Sequence, residues 1–194
     1  MSEAAVRVRR RPHLAPILLP LLVVLAAGAG VFWLGTSART TVVIVLKHAE
    51  AAAEPRGDPD LSPAGEVRAA GLGDFLADAL AGGKVDYLYA GDTRRAQQTA
   101  LPIANRFGLP VNLLAPGEWE GLASRLRSDH RGRTIVVVGY PSTVPNLVAQ
   151  LAGESGRVSE AADGVAYVVV IPSPGSTRLF QLRYGPPGQA RTQR

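Results

Sequence analysis

The pattern of apolar and polar positions divides the chain into alternating strands and helices after residue 40. Thr40 to Leu46 is an uninterrupted β-branched apolar run that ends abruptly in Lys47-His48-Ala49-Glu50. A run without alternation suits a strand covered on both faces, as in a parallel sheet. A polar loop, 51–60, follows. Ser62-Pro63 then opens a helix, with Ser62 as cap and Pro63 in the first turn. Val67, Ala70, Leu72, Phe75, Leu76, Ala79 and Leu80 carry its helical spacing as far as Gly82-Gly83.

Val85–Tyr89 predicts a second strand, Thr93–Phe107 a second helix ended by Gly108, and Leu109–Leu114 a third strand. Trp119, Leu122 and Leu126 give Gly117–Arg127 a helical spacing. Thr134–Val138 is another fully apolar strand, running into Gly139-Tyr140-Pro141-Ser142-Thr143, and a helix begins with Pro145 to Leu151. Val165–Ile171 and Thr177–Leu182 predict two closing strands, joined as a hairpin across Ser173-Pro174-Gly175. The expected fold class is α/β, a three-layer sandwich with a mostly parallel central sheet flanked by helices. Ligands of such sheets gather beyond the carboxyl ends of the strands. Lys47, His48 and Glu50 therefore lie where a site is expected.

The first 35 residues follow a different pattern. Arg7, Arg9, Arg10 and Arg11 form a basic cluster, and Leu14 to Gly35 is 22 residues without a charge. That length matches a helix crossing a hydrocarbon core about 30 Å thick. The arginines predict a cytoplasmic tail over 1–13, a transmembrane helix over 14–35 and an outer, periplasmic or extracellular, domain over 36–185. Residues 186–194, rich in Gly, Pro, Gln and Arg, read as a disordered tail. The alternative for 14–35 is a signal peptide, with Thr36-Ser37-Ala38 as a small-residue cleavage site. Its apolar region exceeds the usual span of about 7–15 residues.

The N-terminal segment contributes +3 of the formal charge of +5, leaving +2 on the domain. No basic stripe with interleaved aromatics appears, so nucleic acid is not an expected partner. Apolar residues at 46% exclude a disordered polymer, and the absence of cysteine excludes disulfides and thiolate metal sites.

Four motifs, in order, carry the chemistry. A histidine among cations suits a phosphoryl group, because cations hold its oxygens while neutral imidazole attacks phosphorus. The order Lys47-His48-Ala49-Glu50, Leu61-Ser62-Pro63-Ala64-Gly65, Arg95-Ala96-Gln97-Gln98-Thr99-Ala100, then Val136-Val137-Val138-Gly139 running into Ser142-Thr143-Val144-Pro145 resembles the histidine phosphatase superfamily. The resemblance is to its phosphoglycerate mutase-like group, in the short form, and covers about Thr40 to Tyr184. It implies hydrolysis of a phosphomonoester without metal or cofactor, on a phosphorylated small molecule or phosphoprotein. It implies that His48 is the nucleophile and that Lys47, Arg95 and Tyr140 stand at the phosphate-binding positions.

Two of these four positions depart from the pattern. Lys47 stands where the family has Arg and lacks the planar fork of a guanidinium. Tyr140 stands where the family has a second His and brings no charge at neutral pH. The departures give a second expectation, a catalytically weakened or inactive relative that binds a phosphorylated ligand or a protein partner. The general acid of the family is a carboxylate, for which Glu50, Glu118 and Glu120 are the candidates, Glu118 foremost.

Overall fold

The computed structural model describes residues 20, 23–28, 39–54, 57–156, 158 and 161–185. The chain divides into two units that meet between Ala38 and Arg39. In the first unit, residues 23–28 are helical, and Val23, Val24 and Leu25 are more than 60% exposed. Among the described residues no helix is long and apolar enough to cross a membrane. The tails expected over 1–13 and 186–194 lie outside the described residues, as does most of the span expected over 14–35.

The second unit is built on one six-stranded sheet. Its strands are β1 (Arg39–Lys47), β2 (Tyr87–Gly91), β3 (Val111–Leu114), β4 (Thr134–Gly139), β5 (Val165–Ser173) and β6 (Arg178–Arg183), in the order β3-β2-β4-β1-β5-β6. The β1–β4, β2–β4 and β2–β3 pairings are parallel. The closing strands pair antiparallel with β1 and with each other, so the sheet is mixed.

The continuous apolar runs of β1 and β4 follow from cover on both faces. Val43, Val45, Ile135 and Val137 pack under α4 (Leu122–Ser128) and α5 (Thr143–Ala152), against Leu122, Leu126, Val144 and Val148. Ile44, Leu46, Val136 and Val138 pack on the opposite face against Leu72, Leu76, Ala100 and Ile103. Those residues belong to α2 (Leu72–Ala79) and α3 (Arg94–Phe107), which with α1 (Pro63–Ala70) form the other helical layer. Alternate side chains of one strand thus feed two cores.

Two expected helices are each divided. The helix expected from Ser62 to Leu80 is α1 followed by α2, interrupted at Gly71. Glycine there carries the usual cost of about 1 kcal/mol relative to alanine in a helix interior. The break lets α1 meet the β1–α1 loop while α2 packs on α3. The helix expected over Gly117–Arg127 is a short 3-10 turn, Pro116–Trp119, and then α4, divided by Gly121 at φ 74°. That left-handed conformation ends a right-handed helix and is free of steric cost only for glycine.

α1 is anchored at its start. Ser62 Oγ accepts from the Gly65 N–H at 3.1 Å, and the Ser62 N–H donates to the Glu50 carbonyl at 2.8 Å. A Cβ on Gly65 would stand 2.2 Å from that carbonyl oxygen. Gly65→Ala is therefore expected to push α1 off the β1 loop and destabilise the domain by about 1–3 kcal/mol, the usual cost of overpacking. Urea unfolding of wild type and variant checks it; equal midpoints would contradict the close approach.

Candidate active site

β1 ends beside β4, and the His48 N–H continues the ladder by donating to the Gly139 carbonyl at 3.0 Å. The His48 Nδ1 lies 2.7 Å from the Ala49 carbonyl oxygen. A carbonyl only accepts, so Nδ1 carries the proton and Nε2 keeps its lone pair. Arg95 Nε donates to that lone pair at 3.1 Å. Burial, then the nearby charges of Arg95 and Lys47, hold the His48 pKa below its ordinary value of 6.5, against the opposing bond to Ala49. The imidazole is thus neutral at pH 7, with its free electron pair facing a guanidinium.

Helix α3 brings Arg95 to this place. The buried Thr99 hydroxyl donates to the Arg95 carbonyl at 2.7 Å and accepts from the Ala49 N–H at 3.0 Å. One side chain thereby ties the first turn of α3 to the residue after the histidine. One turn away, Gln98 Oε1 accepts from the Leu61 N–H at 2.8 Å, and Gln98 Nε2 donates to Asp60 at 2.7 Å. The Gln-Thr pair of the third motif is therefore the fastener between α3 and the loop after β1.

Tyr140 follows β4 and lies over the end of β2. Its ring centroid is 6.4 Å from that of His48 and 5.6 Å from that of Trp119. Its hydroxyl donates to Asp92 Oδ1 at 2.6 Å. Burial and this bond both raise the phenol pKa. A Cβ on Gly91 would stand 2.2 Å from the phenol oxygen, so the space taken by Tyr140 requires glycine at 91.

Residues 43–131 match the model of the histidine phosphatase superfamily (branch 1). The fold is similar to that of the protein histidine phosphatase SixA complexed with tungstate. That pair is 17% identical, covering 73% of this chain and 96% of that one, with a TM-score of 0.62. The mycobacterial glucosyl-3-phosphoglycerate phosphatase is 16% identical, covering 76% of this chain and all of that one, with a TM-score of 0.57. Mycobacterial hydrolase 1 is 16% identical, covering 76% of this chain and 99% of that one, with a TM-score of 0.58. The described domain has the histidine phosphatase fold. No curated protein matches the sequence.

Within this histidine phosphatase fold, His48, Arg95 and Tyr140 converge from β1, α3 and β4. Lys47 adjoins them, but its Nζ pairs with Asp163 at 2.7 Å. The three candidate acids are engaged or placed otherwise. Glu50 is held by Arg68, whose Nε donates to both carboxylate oxygens at 2.8 and 2.9 Å. That contact first of all keeps its pKa below the usual carboxylate value, so Glu50 is a poor proton donor near pH 7. Glu118 accepts from the Ala115 N–H at 2.8 Å, within its own 3-10 turn. Glu120 lines an open groove with Trp119, Thr143, Asn146, Leu147 and Gln150. His130 bonds to Tyr89 at 2.8 Å and packs on Tyr87.

Asp58, Asp92 and Asp163 escaped the reading of the sequence. Each contacts one of the site residues from a loop whose composition carries no periodic signal. The signal for Thr99 and Gln98 was present in their motif, without the roles they play. Among the described residues, no group of three or more His, Asp or Glu is arranged to hold a metal ion.

The neutral histidine makes a titration prediction. Folding favours the uncharged ring, so His48 contributes full stability above pH 6.5, and that contribution declines as pH falls toward the lowered folded-state pKa. NMR of the His48 ring should give a midpoint below 6.5, rising in Arg95→Ala as a neighbouring cation is removed. A midpoint at or above 6.5 in the wild type would contradict the buried, cation-flanked ring.

Proposed function

We propose that this chain is a histidine phosphatase that hydrolyses a phosphomonoester through a phosphohistidine on His48. The observation that carries the reading is the His48 Nε2 lone pair in contact with the Arg95 guanidinium at 3.1 Å. In the reaction Arg95 turns its fork to two phosphoryl oxygens, which frees Nε2. The lone pair forms the N–P bond while the P–O bond to the leaving group breaks, and the leaving oxygen takes a proton from solvent. Water then attacks phosphorus, the N–P bond breaks, and inorganic phosphate departs with the histidine neutral again. The alcohol and phosphate together account for the ester and one water.

The substrate class is a phosphorylated small molecule or a phosphoprotein. The named neighbours of the fold support both, one being a protein histidine phosphatase and another a glucosyl-3-phosphoglycerate phosphatase. Hydrolysis of p-nitrophenyl phosphate tests the mechanism. His48→Ala should abolish turnover, and Arg95→Ala should reduce it about 10²–10³-fold, the usual cost of one well-aimed donor. Activity unchanged in His48→Ala would sink the covalent route.

A specific observation favours a second reading, a weakened or silent relative that binds a phosphorylated ligand or protein partner. The Tyr140 hydroxyl spends its hydrogen on a bond to Asp92, and the Lys47 ammonium pairs with Asp163, which leaves Arg95 as the cation in contact with His48. Tyr140→His, alone and with Lys47→Arg, discriminates between the readings. A rise of more than about tenfold in rate supports a weakened site, because each restored donor is worth roughly that or more. Efficient turnover by the wild type, with no gain on restoration, rejects it.

We further propose that residues 14–35 hold the domain on the outer side of a membrane. The uncharged run and the exposed Val23, Val24 and Leu25 support this. The full chain should stay in the membrane pellet after alkaline carbonate extraction. Its release as a shorter, cleaved form would support a signal peptide instead.

A further inference from the structure

The first turn of α3 is capped from a distant part of the chain. Thr93 occupies the N-cap position, yet its side chain makes no capping bond. Its hydroxyl oxygen is buried with no hydrogen-bond partner. Its backbone N–H donates to the Tyr140 hydroxyl at 3.4 Å. The cap comes from Asp58, whose two carboxylate oxygens accept from the Arg94 N–H at 3.1 and 3.0 Å. The same carboxylate lies 3.7 Å from Arg95 Nη1. Asp60, two residues on, bonds to the Arg94 guanidinium at 2.8 Å and to Gln98 at 2.7 Å, which keeps the segment on the helix.

A carboxylate thus sits where the positive end of a 14-residue helix and a site arginine would meet an anion. Its pairing with Arg95 is loose, and its side chain is 43% exposed, so water and ligands reach it.

We propose that Asp58 is an internal competitor for the phosphate site. It holds the Arg94 N–H at the start of α3 and engages Arg95 until a phosphoryl group takes Arg95. The inference rests on Arg95 being the phosphate-binding residue. Asp58 is a positioning residue here: it sets the fraction of molecules whose Arg95 is free, and apparent affinity scales with that fraction.

Inorganic phosphate titrated calorimetrically into the full-length chain in detergent tests this. Asp58→Asn keeps an oxygen to accept from the Arg94 N–H but removes the charge. It should bind phosphate about tenfold more tightly, with a melting temperature close to that of the wild type. Unchanged or weaker binding in Asp58→Asn overturns the proposal. Arg95→Ala separates this from failure of the underlying reading. If phosphate binds equally well without Arg95, the phosphate site itself is misplaced, and the competitor falls with it.

Discussion

β1 pairs with β4 in parallel from Val42↔Thr134 to Lys47↔Gly139, and the His48 N–H adds one more bond to the Gly139 carbonyl at 3.0 Å. This ladder brings the residue after β1 beside the residue after β4, although they are far apart in sequence. β4 also pairs with β2, so the ends of three strands meet at one place. The chain reaches that order by inserting β4 between β2 and β1, the kind of strand reversal at which α/β sheets form their sites. Buried β-branched side chains on both faces fix the register, because a slip of one residue would exchange the two cores.

Around that meeting point the electrostatics follow one rule: most of the charges near His48 are already partnered. Arg68 holds Glu50, Asp163 holds Lys47, and Asp58 shares Arg95 with the imidazole. The Tyr140 hydroxyl donates to Asp92. Arg95 differs from Lys47 in being divided between two weak contacts, so a phosphoryl group displaces less from it. The geometry also explains why the histidine is kept neutral. The Ala49 carbonyl fixes the proton on Nδ1, and burial penalises a second one.

The motifs of the third segment divide the work in a way that their order alone does not reveal. Arg95 faces the imidazole, while Gln98 and Thr99 on the following turn fasten the helix to the β1 loop. The buried threonine bonds on both sides, so a polar group inside the core is satisfied rather than costly. Position along one helix therefore separates a chemical residue from those that hold it in place.

The sequence by itself determined the strands, the helix starts and the four motifs that converge. Continuous β-branched runs, Ser62 before Pro63 and Gly108 after Phe107 are local signals whose physics acts within a few residues. It also brought His48, Arg95 and Tyr140 into one site, since their motifs follow strand ends or open the next helix. Where helices break was only partly legible: Gly71 and Gly121 were visible, but the apolar spacing ran through both. What only the tertiary structure decided is the partner of each charge. Lys47 with Asp163, Arg68 with Glu50, Tyr140 with Asp92 and Arg95 with Asp58 join positions up to 116 residues apart. Such pairings depend on distances of a few ångströms between side chains. Those distances exist only once the sheet has set the strand ends side by side.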